Sequence, residues 1–394
     1  MRLYLLALPL TDSVTDGFLP AAARLGLDVT VLTDRPDAHR ERYGDAVEVL
    51  KCDVRDFRAV ITRMATHHEP DAVFSNSDHL QVQAALAAEY FGLPGKDWRA
   101  ALRVKDKAHM RRHLTASGTD SVWSVELAPG ELPDAGAVPY PCVLKPREGV
   151  ASENVVMAHG PEDLLLQCKE IQAGRPGAPL VVEEYLPGRL HTLETLGDGA
   201  VRHVLGGFHT ELTPPPLFIE QQLTFVPAHP EPIAAQVLAQ LDALGIGFGI
   251  CHTEFVVHEG RARIIEVNYR AIGDQCDLLL ADLLGIPLFD LVLRTHLGEP
   301  LPADLGARRD GAARISWPMA DRTGTLTAAP AATDREADGV RLTYRPMRAV
   351  GEWRELAHTH RDYLGAVRVV GTDQEAVNRV HADFLATGRW EITP

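Results

Sequence analysis

The chain has 394 residues, of which 45% are hydrophobic and 24% charged, with a formal net charge of −15. That length is enough for two or three domains, and the acidic balance excludes a general nucleic-acid binder, which needs a basic face. Five scattered cysteines, Cys52, Cys142, Cys168, Cys251 and Cys276, form no CxxC pair, so the sequence predicts reduced thiols and no structural zinc. The N-terminus stays apolar for only about nine residues, lacks a small-residue cleavage site and reads as an opening strand. No window reaches the length of a membrane span. A cytoplasmic protein that contacts no membrane is the expectation.

In chain order, the pattern predicts strands over residues 3–8, 29–32, 47–51 and 72–75, and helices over 16–25, 57–67 and 78–90. Such alternation implies a parallel sheet and an α/β domain over residues 1–95. The segments Thr11-Asp12-Ser13 and Ser75-Asn76-Ser77-Asp78 are polar strand ends, where ligands gather in open α/β sheets. No GxGxxG follows the first strand, which argues against a dinucleotide site. Leu93-Pro94-Gly95 marks a boundary.

Beyond it, the sequence predicts a helix over 104–118 carrying Lys105, Lys107, Arg111 and Arg112. Strands over 140–145 and 154–158 follow, then a helix over 161–173 and a strand over 180–184. Further strands are expected near Thr192 and Val204, with helices over 232–244 and 276–284. Prolines Pro214-Pro215-Pro216 and Pro330 mark loops. The last piece reads as a strand over 366–370, a helix over 373–387 and a short strand at Trp390.

The strongest chemical signal lies in GICHTEFVVHEGRARIIEVNYR, residues 249–270, which reads as a β-hairpin. In its first arm Phe255 and Val257 face one way, Glu254 and Val256 the other. In its second arm Ile265 and Val267 oppose Ile264, Glu266 and Asn268. The turn is His258-Glu259-Gly260, where glycine is free to take positive φ. A three-residue loop over 259–261 sets Glu254 opposite Glu266. Glu254, Glu266 and Asn268 then present oxygen donors on one face, flanked by Val256 and Ile264. Magnesium takes such donors and leaves positions for water and phosphate. A solvated hairpin face is the alternative, and the two flanking apolar residues argue against it.

Four features occur in order: Asp106-Lys107 opening a helix, Tyr140-Pro141-Cys142-Val143-Leu144-Lys145-Pro146, Glu183-Glu184-Tyr185-Leu186-Pro187-Gly188, and Glu254 with Glu266-Val267-Asn268-Tyr269-Arg270. In this order the chain resembles the ATP-grasp superfamily, and within it the carboxylate–amine ligases, including L-amino-acid ligases of siderophore and peptide natural-product pathways. The resemblance implies an α/β plus α+β architecture: a Rossmann-like parallel-sheet domain over 1–95 and two α+β lobes that clasp ATP. The first part of the grasp, with its small lid lobe, would span 96–186. The large lobe with its magnesium site would span 187–300, and a C-terminal α+β segment 301–394.

The resemblance also implies ATP and Mg2+ as cofactors, with two metal ions bridged by Glu266. Lys107 and Lys145 then reach the nucleotide phosphates, where a point charge on a flexible stem serves well. Glu183, Glu184, Tyr185 and Leu186 line the adenine and ribose, with Glu183 and Glu184 not separable, and Val182, Leu186 and Ile264 supply apolar contact. Arg270 and Lys145 are the expected catalytic residues, Arg270 at the transferring phosphate. Gly273 and Asp274 begin the loop facing the carboxylate substrate. Arg147 and Ser152 stand in the phosphate-covering loop. That loop is a departure from the family: Pro-Arg-Glu-Gly-Val-Ala-Ser-Glu-Asn-Val holds a single glycine where backbone amides normally approach phosphate, so either Arg147 compensates with charge or the loop closes differently.

His191, His203, His209 and His252 lack ligand spacing and read as core or surface residues, although His209-Thr210-Glu211 could touch substrate. The activity implied is an ADP-forming ligation of a small-molecule carboxylate to an amine through an acyl phosphate. Rivals are a carboxylase or purine-pathway type of ligase using bicarbonate or formate, and a non-catalytic nucleotide-binding module. A homodimer is the commonest assembly to expect.

Overall fold

The computed structural model describes residues 1–149, 152–307 and 310–394. Near its start, the apolar runs Arg2–Leu6 and Asp28–Thr33 pair in parallel. Glu48–Lys51 joins outside the second and Ala72–Phe74 outside the first, giving a four-stranded parallel sheet. Strands so thoroughly buried belong to sheets covered on both faces. Part of one cover comes from far along the chain, in the helix Leu288–His296. Its Phe289 ring meets Phe18 edge-on at 4.9 Å, and Phe18 meets Phe74 at 4.5 Å. Gly17 makes that approach possible, because a Cβ there would stand 2.4 Å from the Phe289 ring.

The single helix expected over 104–118 is two helices, Trp98–Lys105 and Lys107–Ser117. Asp106 breaks them with extended dihedrals and caps the second, its Oδ1 accepting from the amides of Ala108 at 3.0 Å and His109 at 3.1 Å. A carboxylate at this position satisfies otherwise orphaned helix amides. The break also turns Lys107 inward at the first helical position, where only 4% of it is exposed.

A four-stranded antiparallel sheet follows, ordered Ser124–Leu127, Leu180–Glu184, Cys142–Pro146, Val156–Ala158. The helix Pro161–Gly174 covers it through Leu164, Cys168 and Ile171. The largest sheet has nine strands. It runs Arg261–Asn268, Phe248–His258, Arg189–Asp198, Arg202–Leu212, Glu220–Val226, Ala312–Ser316, Gly365–Gly371, Val340–Pro346, Thr333–Ala337. The last four of these strands therefore extend the same sheet that carries the acidic hairpin.

That hairpin reaches its expected pairing by an unexpected route. His258 pairs with Arg261, so the turn holds two residues, Glu259 and Gly260, at φ of 51° and 73°. Both residues at positive φ suit a tight primed turn. A β-bulge then restores the register: Phe255 opposes Ile264, Glu254 opposes Glu266, and Ile265 is the extra residue. Bulges of this kind re-aim side chains. Ile264 is consequently fully buried in the core with Phe255, Val237, Leu241 and Met110. Its predicted contact with the nucleotide is therefore corrected: Ile265, and not Ile264, joins Glu266 on the open face.

Candidate active site

Three of the four sheets among the described residues, those set out above, meet around a cleft of about 790 Å³. One half is lined by Lys107, Lys145, Glu183 to Leu186, Val256, Ile265, Glu266 and Asn268, the other by segments from both ends of the chain. Its charges are arranged in two tiers.

The deep tier is an ion-pair cluster. Arg111 grips Glu183 with two hydrogen bonds of 3.0 Å, from Nε and Nη2, and spends Nη1 on the Ile264 carbonyl at 2.5 Å. Lys145 Nζ lies 2.7 Å from the same carboxylate. Burial opposes ionisation of Glu183, but Arg111 and Lys145 outweigh it and hold the carboxyl down to about 2. Such a bidentate fork fixes geometry as well as charge. Glu183 and Glu184, inseparable in the sequence, thus have distinct surroundings. Glu183 faces inward to the cations, whereas Glu184 sits at the rim and accepts from the Trp123 amide at 2.9 Å. Tyr185 donates its amide to Pro141, while the Leu186 amide has no hydrogen-bond partner among the described residues. It is a donor available at the cleft wall.

The upper tier is the hairpin face. Lys107 Nζ sits 2.9 Å from Glu266 Oε1 and 3.3 Å from the Gly149 carbonyl. Burial alone would lower its pKa, yet Glu266 and the neighbouring carboxylates raise it above the usual lysine value. Asn268 Nδ2 donates to Glu254 Oε1 at 3.3 Å, leaving its amide oxygen without a hydrogen bond among the described residues. Two opposed carboxylates and an uncommitted amide oxygen, with a lysine as resident counter-charge, fit a hard divalent cation. Behind them stands His252, which reads from the sequence as a core or surface histidine for want of ligand spacing. Its Nδ1 is 2.8 Å from Glu194 Oε1 and its Nε2 3.5 Å from Glu254 Oε1. Against the penalty of burial, these carboxylates push the imidazole up to about 10. The chain continues from Glu194 to the Thr192 hydroxyl at 2.8 Å. Only the sheet pairing of residues 189–198 with 248–258 brings these groups together, so no local motif signals them.

The other half of the cleft is assembled from distant segments: residues 6–14, Asn76 to His79, Glu220, Arg270 to Cys276, Met347 and His360. Arg270 Nε donates to Asp78 Oδ2 at 2.7 Å, and the Ala271 amide donates to Asn76 Oδ1 at 3.0 Å. Asp274 and Gln275 hold positive φ, 52° and 73°, a strained conformation for residues with side chains. Residues flanking the C-terminal strands pack around them. Trp317 Nε1 donates to the Asp274 carbonyl at 3.2 Å, Trp317 stacks on Tyr363 at 5.1 Å, and Tyr363 stacks on His360 at 5.0 Å. His360 Nδ1 lies 3.6 Å from Asp274 Oδ2. Glu220 faces the same space, where burial drives its carboxyl up to about 7, His360 opposing that rise and Glu254 adding to it.

Of the other expected residues, Ser152 lines the cleft and donates its hydroxyl to the Phe218 carbonyl at 2.7 Å. Arg147 does not line it. Its guanidinium is committed to Asp106, and to Glu126 at 3.2 Å, so its expected compensation for the missing glycines is corrected to a clamp on the helix cap. Val150 and Ala151 of the same loop lie outside the described residues. A group the sequence did not signal, Glu48, His67 and His68, lies within 4.8 Å. Its carboxylate is already taken by Arg2 at 3.2 Å, Thr30 at 2.7 Å and His67 at 2.9 Å. No helix among the described residues is long and apolar enough to cross a membrane.

Comparison with known proteins agrees with this architecture. Residues 19–95 match the family model of the ATP-grasp N-terminal domain. The uncharacterized protein y4rH of Sinorhizobium fredii is 26% identical, over 100% of this chain and 84% of its own length. Among solved structures, an L-amino acid ligase from Bacillus licheniformis superposes with a TM-score of 0.81 at 21% identity, covering 100% of this chain and 99% of its own. The biotin carboxylase domain of a 2-oxoglutarate carboxylase from Hydrogenobacter thermophilus, in complex with MgADP, ADP and bicarbonate, superposes with a TM-score of 0.71 at 16% identity, covering 99% and 91%. The chain has the ATP-grasp fold.

Proposed function

We propose that this ATP-grasp protein is an ADP-forming ligase that joins a small carboxylic acid, an amino acid by preference, to an amine. One observation carries the reading: three cations, Lys107, Lys145 and Arg270, and three oxygen donors, Glu254, Glu266 and Asn268, line a single cleft. A nucleotide-binding module without chemistry has no use for that full set. The fold shared with an L-amino acid ligase over essentially both chains supports the same class.

A carboxylate is a poor electrophile because its leaving oxide is strongly basic. Phosphorylation replaces that oxide with a good leaving group. The substrate carboxylate attacks the γ-phosphorus of ATP, the β–γ bridging bond breaks, and ADP leaves behind an acyl phosphate. Amine attack at the carbonyl then expels phosphate, with loss of one amine proton, and the amide forms. In this scheme Lys107 and Lys145 gather the phosphate oxygens, and Arg270, braced by Asp78, meets the charge on the transferring group. Glu254, Glu266 and Asn268 would hold Mg2+, which when bound neutralises phosphate charge. The Leu186 amide would meet the adenine edge, with Ile265, Val256 and Leu186 against its ring. The far half, with Glu220, Asp274 and His360 among apolar walls, suits an acid that also carries an ammonium group. Products of this type are small amides, as in peptide natural-product and siderophore pathways.

Phosphate release from ATP and Mg2+, screened over amino acids and small di- and tricarboxylates singly and in pairs, tests the reading. Release that requires an acid and an amine together is the expected result. Release with bicarbonate alone would make the chain a carboxylase instead, and no release with any acid would leave only a binding module.

A further inference from the structure

Lys96 is buried, 7% exposed, immediately after the Leu93-Pro94-Gly95 segment. Among the described residues no carboxylate pairs with it, although an isolated buried ammonium is costly. Burial accordingly pushes its pKa down to about 7, and its hydrogen-bond partners are neutral acceptors. Nζ donates to Gln81 Oε1 at 2.7 Å and to the Tyr269 carbonyl at 2.5 Å, and it lies 4.4 Å from the centre of the Tyr269 ring. The neighbouring strand makes room for it: Gly249 holds φ of +74°, and a Cβ there would stand 2.8 Å from Lys96 Cε.

Both acceptors lead to the cleft. Tyr269 is the residue between Asn268 and Arg270. Gln81 uses its Nε2 to hold the Ser75 carbonyl at 2.9 Å and the Ser77 carbonyl at 2.8 Å. That fixes the loop whose Asn76 accepts the Ala271 amide and whose Asp78 braces Arg270. Lys96 thus adds a buried tie, behind these two direct ones, between the N-terminal sheet's ligand loop and the end of the acidic strand.

We infer that Lys96 is a positioning residue for phosphoryl transfer, setting Arg270 and Asn268 through the Tyr269 carbonyl and the Gln81-held loop without touching either substrate. The inference rests on the ligase reading above. Misplacement of reacting groups by about 1 Å costs on the order of 100-fold in rate, so Lys96→Met should lower kcat by roughly 10–100-fold. The KM for ATP should change by less than about threefold, because the deep cation tier is untouched. Gln81→Leu should act through the same node, leaving the double variant no slower than the worse single one.

The experiment measures kcat and KM for both single variants and the double, alongside amide hydrogen exchange. Exchange in residues 75–78 and 268–273 should speed up in Lys96→Met, while residues 142–146 stay as protected as before. A folded Lys96→Met with wild-type kcat and exchange, or fully additive variants, overturns the inference. Should Lys96→Met fail to fold, Gln81→Leu carries both readouts. A wild-type protein that releases no phosphate with any acid sinks the ligase reading instead, and the exchange comparison still decides whether the node couples the two segments.

Discussion

The two halves of the cleft are built in opposite ways. On the side proposed for the nucleotide nearly every charge is matched by a fixed partner: Arg111 and Lys145 on Glu183, Lys107 on Glu266, His252 between Glu194 and Glu254. On the acceptor side, Glu220 has its carboxyl driven up to about 7 by burial, and Asp274 sits in a strained turn braced by aromatic rings. Pre-paired charges suit a ligand whose shape never varies, such as a triphosphate. A pocket of partly committed groups, assembled from both chain ends, can be retuned without disturbing the first. Under the proposed ligase reading, the difference separates what would drive the reaction from what would select the substrate.

The sharpest way to break this division is Glu266→Gln. It should cut turnover with every substrate pair by roughly 10²–10³-fold, while ADP binding, followed by calorimetry, weakens but persists. Full activity would remove Glu266 from the metal-binding face. Next comes Glu183→Gln, which strands Arg111 and Lys145 without counter-charge. Breaking a buried pair from one side costs about 3–5 kcal/mol, and urea denaturation should register a loss of that order.

A smaller effect is expected on the other side. His360→Ala should raise KM for the acid about tenfold, the scale of one lost charged hydrogen bond, with ADP affinity unchanged. Equal weakening of ADP binding would mean the halves are not separable. An effect of another kind, on stability, lies in the core behind them. His296, packed against Phe74 at 5.1 Å and Phe248 at 5.2 Å, is driven down to about 3 by burial and then by the nearby Lys96 charge. Its folded pKa lies below the unfolded value of about 6.5. The stability it contributes is therefore complete above that value and is lost as pH falls from there toward about 3. His296→Phe should flatten the fall in the urea midpoint between pH 7 and pH 4.5.

The same division governs how much could be read beforehand. Lys107, Lys145, Glu254, Glu266, Asn268 and Arg270 lie in short runs where strand alternation or a helix start exposes their role, and they converge on one cleft. The parallel sheet and the helix Cys276–Leu284 were equally legible, because periodicity is local. Asp106-Lys107 reads as a helix opening, yet the separate helix Trp98–Lys105 before it was not legible, since helical residues on both sides of Asp106 mask the break. The strand Glu220–Val226 begins Glu-Gln-Gln and carries no apolar alternation at its start. Glu194, His252, Glu220 and His360 acquire meaning only through pairings dozens of residues apart. Ile264 failed for a different reason: strict alternation cannot foresee one inserted residue.

That inserted residue has a wider consequence. A regular strand gives its two sides equal shares, yet here two successive side chains, Ile265 and Glu266, look the same way. An apolar side chain and a carboxylate thereby become neighbours on one wall, a single peptide apart. Excising Ile265 would leave Glu254 facing Glu266 and Phe255 facing Ile264 as before. On the proposed reading, the cost of such a deletion would fall on the grip for the base and spare the pairing of the rest of the hairpin.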